Sequence, residues 1–304
     1  MRAATVSNGR LLVEEHPDPV PGDRELLIRA RAAGINGADL GQRAGSYPAP
    51  RGAPQDIPGL ECAGEVVDVG PNVHGFRPGD RVMALLGGGG QAELATVLER
   101  HALPVPDSLS DAAAGGFMEV FATAHDALFS QAALQPGERL LVNGAAGGVG
   151  TAAVQLGVAA GASVTAFARH SADRLEQLGA DTDRRGRYDV ILELVGGDLL
   201  VEDLDLLTVG GRQAVIGTSA GGTATLDLHR LMAKCGRIHG SVLRSRPLEE
   251  KALVVQRLRQ HVLPLVEAGH VTVPVDRTFP LDDVEAAYGA FAAGGKFGKI
   301  VLTM

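Results

Sequence analysis

The stretch that most constrains this chain runs from Arg139 to Arg169, RLLVNGAAGGVGTAAVQLGVAAGASVTAFAR. Leu140, Leu141 and Val142 form the short apolar run of a strand buried on both faces. A glycine-rich turn follows at once. Thr151 to Gly161 then has the small, apolar composition of a buried crossover helix, and Ser163 to Ala168 resumes as a second strand. Ala145, Gly147 and Gly150 fall on the spacing of the dinucleotide fingerprint, with alanine in place of the first glycine and with Gly148 and Val149 inside the motif. The physical demands are a tight turn at Ala145, close backbone approach to a pyrophosphate at Gly147, and close helix-on-strand packing at Gly150. The helix N-terminus would turn its free N–H groups toward the phosphates. Glycine patterns are weak evidence in a chain with 41 glycines. This one gains from lying in a strand-turn-helix-strand unit of about 30 residues, the βαβ length the motif requires.

The end of the second strand bears on which dinucleotide is held. A carboxylate about 20 residues past the glycines holds the ribose 2′-hydroxyl of NAD. Here the strand delivers Arg169, His170 and Ser171, with Arg174 close behind. An arginine suits a 2′-phosphate, so NADPH is expected; the alternative is a solvated arginine at a strand end.

A chain of 304 residues accommodates two modest domains, and 45% hydrophobic with 21% charged residues is ordinary for a globular enzyme. Net charge is −8 with four lysines and no basic run, which argues against nucleic acid or an anionic membrane surface as partner. Cys62 and Cys235 are the only cysteines and lack metal-type spacing, as suits a reducing cytoplasm. The opening MRAATVSNGR has no apolar core of an export signal. Leu140 to Ala168 is uncharged and long enough to span a bilayer, but its glycines, Asn143 and Gln155 fit a buried strand-helix-strand better.

Up to about residue 115 the chain reads as β-rich. Leu26, Ile28 and Ala30 alternate with Leu27 and Arg29 at the period of a half-buried strand, and Gly64 to Val69 and Arg81 to Leu85 are further strands between Gly, Pro, Asn and Asp clusters. Such strands suggest a small barrel. Asp107 to Phe129 carries a run suited to helix, with Ser110 as N-cap. Beyond it strands at Tyr188 to Leu194, Arg212 to Ile216 and Arg237 to Leu243 alternate with helical segments, the pattern of a doubly wound parallel sheet. Val284, Ala287, Tyr288 and Phe291 recur at helical spacing before a closing strand at Gly298 to Leu302.

Taken in order, AAGINGADLGQRAGSYPAP at 32–50, PGLECAGEVVDVGPNVHGFRPGDRVMAL at 58–85, NGAAGGVGTAAVQLG at 143–157, GRIHGSVLRSRP and FGKIVL resemble the medium-chain dehydrogenases/reductases, specifically their zinc-independent quinone oxidoreductase (zeta-crystallin-like) branch. The resemblance covers nearly the full length. It implies an α/β chain with a GroES-like β-rich catalytic domain at 1–115, completed by 263–304, and a Rossmann domain at 116–262, with the active site in the cleft. It also implies that Thr123 contacts the nicotinamide, that Gly217, Ser241, Val242 and Leu243 lie along it, and that Lys299 reaches the cofactor, though a solvated lysine is an equal reading.

Zinc-dependent relatives place Cys, His and Cys where this chain has Asn36, Leu60 and Glu119. A catalytic zinc needs about three protein ligands, so no metal is expected. A quinone or α,β-unsaturated carbonyl that receives a hydride becomes a phenolate or enolate, for which hydrogen-bond donors suffice. Asn36 and Tyr47 are the candidate donors. Asn36 could instead cap a turn and Tyr47 anchor a loop. Glu119 becomes a proton source if burial raises its pKa, or else is a helix residue paired with an arginine. Between Gly179 and Tyr188 the chain has only ADTDRRGR where relatives carry a strand and a helix. Arg184 or Arg185 could then share the 2′-phosphate with Arg169 and Arg174. Arg237 to Leu243 is a candidate sheet edge for a homodimer. The expected activity is NADPH-dependent reduction of a small-molecule quinone or enone. The alternatives are an enoyl-thioester reductase of polyketide or fatty-acid type and a catalytically quiet NADPH-binding protein.

Overall fold

Alternating apolar residues in Glu25–Gly34 build the longest strand of a seven-stranded sheet in the computed structural model, which describes residues Met1–Met304. In chain order the strands are β1 (Arg2–Ser7), β2 (Arg10–Glu15), β3 (Glu25–Gly34), β4 (Glu61–Val69), β5 (Arg81–Leu85), β6 (Leu94–Leu98) and β7 (Ala102–Pro104), then β8 (Arg139–Asn143), β9 (Ser163–Phe167), β10 (Tyr188–Glu193), β11 (Leu207–Val215) and β12 (Arg237–Gly240), and finally β13 (Val275–Pro280) and β14 (Lys299–Thr303). Two units result. Met1–Val120 with Arg244–Met304 forms one, and Phe121–Leu243 the other.

The first unit holds the sheet β13-β14-β3-β4-β5-β7, with β6 also on β3, and the β1-β2 hairpin. Leu26, Ile28 and Ala30 point into one core with Val66, Val82, Ala84 and Val97. Ile35, Ile300 and Leu302 form a second core, covered by Val284, Ala287 and Tyr288 of the helix Val284–Ala293. β14 pairs antiparallel to β3, with Val301 opposite Gly34 and Thr303 opposite Ala32, so residues near 300 complete a sheet begun near 30.

The helix Leu248–His261, placed by sequence with the dinucleotide-binding residues, belongs to this first unit. Ala252, Val254, Val255 and Leu258 are its buried face, Leu248 O bonds His101 Nε2 at 2.8 Å, and Glu249 pairs with Arg100 at 2.5 Å. The Asp107–Phe129 run is divided. Ser110 caps a one-turn helix, Asp111–Gly115, through the Ala113 N–H at 3.2 Å. A Cβ at Gly115 would stand 2.6 Å from the Ala32 Cβ, so glycine lets this turn lie directly on β3. A second helix then runs over Met118–His125.

The second unit is an all-parallel sheet in the order β12-β11-β10-β8-β9. From β8 the chain steps to β9 on one side, and β10, β11 and β12 follow on the other, so the order reverses between β8 and β10. In open α/β sheets such reversals are where ligands bind, beyond the carboxyl ends of the strands. The shortened segment makes β9 an edge. Where a strand could follow there is one bridge, Thr165 to Asp181, before the chain returns to β10. Arg184 lies over this end of the sheet, its guanidinium carbon 4.6 Å from the Phe167 ring centroid, and pairs with Asp203, which is fully buried. Burial pushes the Asp203 carboxyl up to about 6, with Arg184 opposing.

Removing the guanidinium would leave Asp203 buried without its cation, a change that costs about 3–5 kcal/mol in comparable pairs. Urea unfolding of Arg184→Met is expected to show a loss of that order, and Arg184→Met with Asp203→Leu to recover part of it. Equal stability of Arg184→Met and the parent chain would show the pair to be dispensable.

Candidate functional site

The fingerprint turn lies at the carboxyl end of β8. The left-handed residue that makes it tight is Gly144, at φ +71°, one position before the Ala145 named from the motif spacing. Alanine is disfavoured in that conformation, and Ala145 instead donates its N–H to Phe167 O at 3.1 Å. Gly147 is the N-cap of the helix Gly148–Ala159, which includes Val149 and Gly150. A Cβ on Gly150 would fall 2.5 Å from Gly144 O, so close packing requires glycine there. At Gly147 the nearest atom to such a Cβ is 3.5 Å away, ordinary contact. The protein itself leaves room at Gly147, which fits a cradle whose occupant comes from outside the helix N-terminus.

At the end of β9, Arg169 is exposed, Ser171 is left-handed at φ +68° and bonds His170 Nδ1 through Oγ at 2.8 Å, and Arg174 is exposed on Ala172–Gln177. The two further arginines considered for a 2′-phosphate are engaged elsewhere, Arg184 with Asp203 and Arg185 with Asp183 at 3.1 Å. Gly217 follows β11, where a Cβ would meet Leu194 O at 2.8 Å. Ser241 and Val242 follow β12 at the sheet edge, and Leu243 is buried. Thr123 is half-buried on Met118–His125.

In the first unit, Asn36, Glu61 and Lys299 form one buried network. Asn36 precedes the helix Gly37–Arg43, and Asp39 of that helix accepts the Asn36 N–H at 2.8 Å, which fixes the turn. The Asn36 side chain points elsewhere. Its Nδ2 donates to Glu61 Oε1 at 2.9 Å and Gly34 O at 3.3 Å, while its Oδ1 accepts from Lys299 Nζ at 2.6 Å. Lys299 also donates to Glu61 Oε1 at 2.7 Å and Ile35 O at 3.0 Å. Glu61 Oε2 in turn accepts the Glu119 N–H at 2.9 Å, in the first turn of Met118–His125, where a carboxylate complements the helix dipole.

Two expectations are corrected by this geometry. Lys299 does not reach outward to a cofactor, because it is 3% exposed and all three of its N–H donors are taken within the unit. Asn36 is not a free donor, because both hydrogens of its amide are directed to Glu61 and Gly34.

Around this network lie Tyr47, Arg244 and Glu119. Sequence reasoning passed over Arg244, whose only signal is its place in SVLRSRP. It is buried, donates to Gly87 O at 2.8 Å, Tyr47 O at 3.1 Å and Gln42 Oε1 at 2.5 Å, and lies 5.3 Å from the Tyr47 ring centroid. Burial raises the Tyr47 phenol, with Arg244 opposing. Burial and the Glu61 carboxylate push the Glu119 carboxyl up to about 8, with Lys299 opposing. The condition for Glu119 to act as a proton source near neutral pH is therefore met.

The donor set does not fit zinc. Leu60 has no lone pair, the Asn36 oxygen is occupied by an ammonium group, and no three His, Cys, Asp or Glu side chains are grouped to hold a metal ion.

Comparison with known proteins agrees with this architecture. The alcohol dehydrogenase GroES-like domain family matches residues 22–107, and the zinc-binding dehydrogenase family matches 160–302. Quinone oxidoreductase of Mus musculus is 31% identical over 308 residues, covering 94% of this chain and 91% of that protein. The chain belongs to the medium-chain dehydrogenase/reductase family, in its quinone oxidoreductase-like branch. It is thus an oxidoreductase of that family. The mycobacterial protein Rv1454c, solved in complex with NADPH, superposes with a TM-score of 0.88 at 26% identity over the whole of both chains. Polyketide synthase GfsB of Streptomyces halstedii is 34% identical over 293 residues, 92% of this chain but only 5% of that much longer protein. No helix is long and apolar enough to cross a membrane.

The Glu119 carboxyl gives a signed pH dependence. Its folded pKa of about 8 lies above the ordinary value of 4.5, so the folded state holds the extra proton between these values. Stability then falls as pH rises through that window, by at most about 1.4 kcal/mol per pH unit, and levels off above it. Thermal unfolding of Glu119→Gln is expected to decline less than the parent between pH 5 and 8; parallel profiles would contradict the raised pKa.

Proposed function

We infer that this chain is an NADPH-dependent reductase that transfers a hydride to a quinone or an α,β-unsaturated carbonyl without a metal. The observation that carries the reading is the site of Glu119. A carboxyl group held protonated near neutral pH stands at a position where zinc-dependent relatives supply a ligand, beside a fixed Lys299–Glu61 pair that leaves no set of metal donors. Bound NADPH would supply the hydride. The N–H groups at Gly148, Val149 and Gly150 would hold the pyrophosphate, with Gly147, whose own N–H bonds Gly144 O at 3.1 Å, leaving room for it, and Arg169 with His170, Ser171 and Arg174 would hold the 2′-phosphate. Thr123, Gly217, Ser241, Val242 and Leu243 would line the nicotinamide end. The Tyr47 phenol would donate to the acceptor oxygen as it gains charge, and Glu119 would deliver the proton. Asn36 contributes by holding Lys299 and Glu61 in place. The edge strand β12 would pair with a second copy to give a homodimer, which removes an open row of backbone groups.

An enoyl-thioester reductase is the second reading, and the likeness to a segment of polyketide synthase GfsB supports it. NADPH and NADH oxidation against a panel of quinones, enones and enoyl thioesters separates the two. Tight NADPH binding without turnover of any acceptor would instead indicate a catalytically quiet protein.

Arg169→Asp is expected to weaken NADPH binding tenfold or more and to leave NADH unchanged or improved; equal effects on both would reject the phosphate assignment. Tyr47→Phe should lower kcat with cofactor affinity unchanged. Glu119→Gln should remove a decline in kcat that otherwise sets in near pH 8, and a retained decline would assign the proton to another group.

A further inference from the structure

Beyond the β8–β10 reversal, the turns that end β8, β10 and β11 are joined through one buried carboxylate. Glu193 ends β10 and is 0% exposed, as is Asn143 at the end of β8. Asn143 Nδ2 donates to Glu193 Oε2 at 2.7 Å, and also to Asp203. Glu193 Oε1 accepts the N–H groups of Val195 at 2.6 Å and Gly196 at 2.8 Å. That turn is tied to the next. Ala220 N–H bonds Val195 O at 2.7 Å, Gly197 N–H bonds Gly221 O at 3.0 Å, and the Glu193 backbone carbonyl accepts from Ile216 at 2.9 Å. Asn143 immediately precedes Gly144, whose left-handed conformation sets the fingerprint turn.

Every hydrogen-bond partner of the Glu193 side chain is thus a donor, and each lies at or just beyond the carboxyl end of a strand. Neither residue needs to touch a ligand to matter. We propose that Glu193, through Asn143, is a positioning residue for the dinucleotide: it holds the fingerprint turn, which takes the pyrophosphate, in fixed register with the Val195–Gly197 and Thr218–Gly221 turns, which face the nicotinamide half. The proposal rests on the dinucleotide reading of this unit. It assigns to Glu193 the spacing between two halves of one ligand, so its removal affects a ligand that spans both turns and spares a ligand that uses only one.

Glu193→Gln keeps the shape and destroys the pattern, because the new amide must turn its NH2 either toward the Val195 and Gly196 N–H groups, donor against donor, or toward Asn143, whose amide must then turn its unpartnered Oδ1 inward and give up its bond to Asp203. The experiment measures dissociation constants of NADPH, by nicotinamide fluorescence, and of 2′,5′-ADP, by calorimetry, for the parent chain, Glu193→Gln, Asn143→Ala and the double variant. NADPH binding to the parent chain is read first, since its absence there would overturn the dinucleotide reading and this inference with it. The expected result is a loss of NADPH affinity of at least tenfold in Glu193→Gln, with 2′,5′-ADP unchanged within twofold. The double variant should be no worse than the poorer single one, because both cut the same link. A merely structural role would weaken both ligands together. That outcome, or unchanged NADPH affinity, would overturn the proposal, and Asn143→Ala carries the same test should Glu193→Gln fail to fold.

Discussion

The ion pair between Lys299 and Glu61 is the interaction on which the first unit's geometry depends. Burying two charges is costly, and such a pair adds little stability compared with apolar residues of the same volume. Its value lies in direction. The ammonium reaches β4 through Glu61 and the end of β3 through Ile35 and Asn36, while the other carboxylate oxygen seats the first turn of Met118–His125. The surrounding backbone is shaped for it. A Cβ at Gly34 would collide with the Glu61 carboxylate, and one at Gly116 would stand 3.1 Å from Lys299 Cγ, so both glycines clear a channel for the lysine stem.

The same network explains the electrostatics around Glu119. Lys299 has its charge matched by Glu61 at 2.7 Å, and its pull on Glu119 is too weak to offset burial and the Glu61 charge. A carboxyl group in that setting keeps its proton, where one facing an unmatched lysine would lose it. Asn36 and Lys299 therefore act on the surroundings of Glu119 through the groups they fix.

Much of the architecture was legible in the sequence. Alternation at 26–30, the apolar run at 140–142 and helical spacing at 284–291 each read correctly because burial of one face, or of both, leaves a periodic trace. The short stretch after Gly179 carries a single bridge, Thr165 to Asp181, and leaves β9 at the sheet edge. Other features had no local signal. The commitments of Asn36 and Lys299 depend on residues some 260 positions apart, joined only by the pairing of β3 with β14. The engagement of Arg184 needed the position of Asp203, and the role of Arg244 needed the loops that carry Gln42, Tyr47 and Gly87. Motif spacing located the fingerprint turn but misplaced its left-handed residue by one, because an alanine at the first glycine position let Gly144 take the strain.

The interrupted course of the first unit has a consequence for synthesis. Residues 121–243 form a contiguous unit whose strands are all available once that stretch has left the ribosome. The other unit must wait, since β3 is made before residues 121–243 and its neighbour β14 only after them. Until then the edge of β3 and the apolar side chains Ile35 and Leu11 have no cover from Ile300 and Leu302. The nascent chain therefore holds a finished insert within an unfinished host, and the interval in which it is open to misassociation or chaperone capture is set by the time taken to translate the intervening residues.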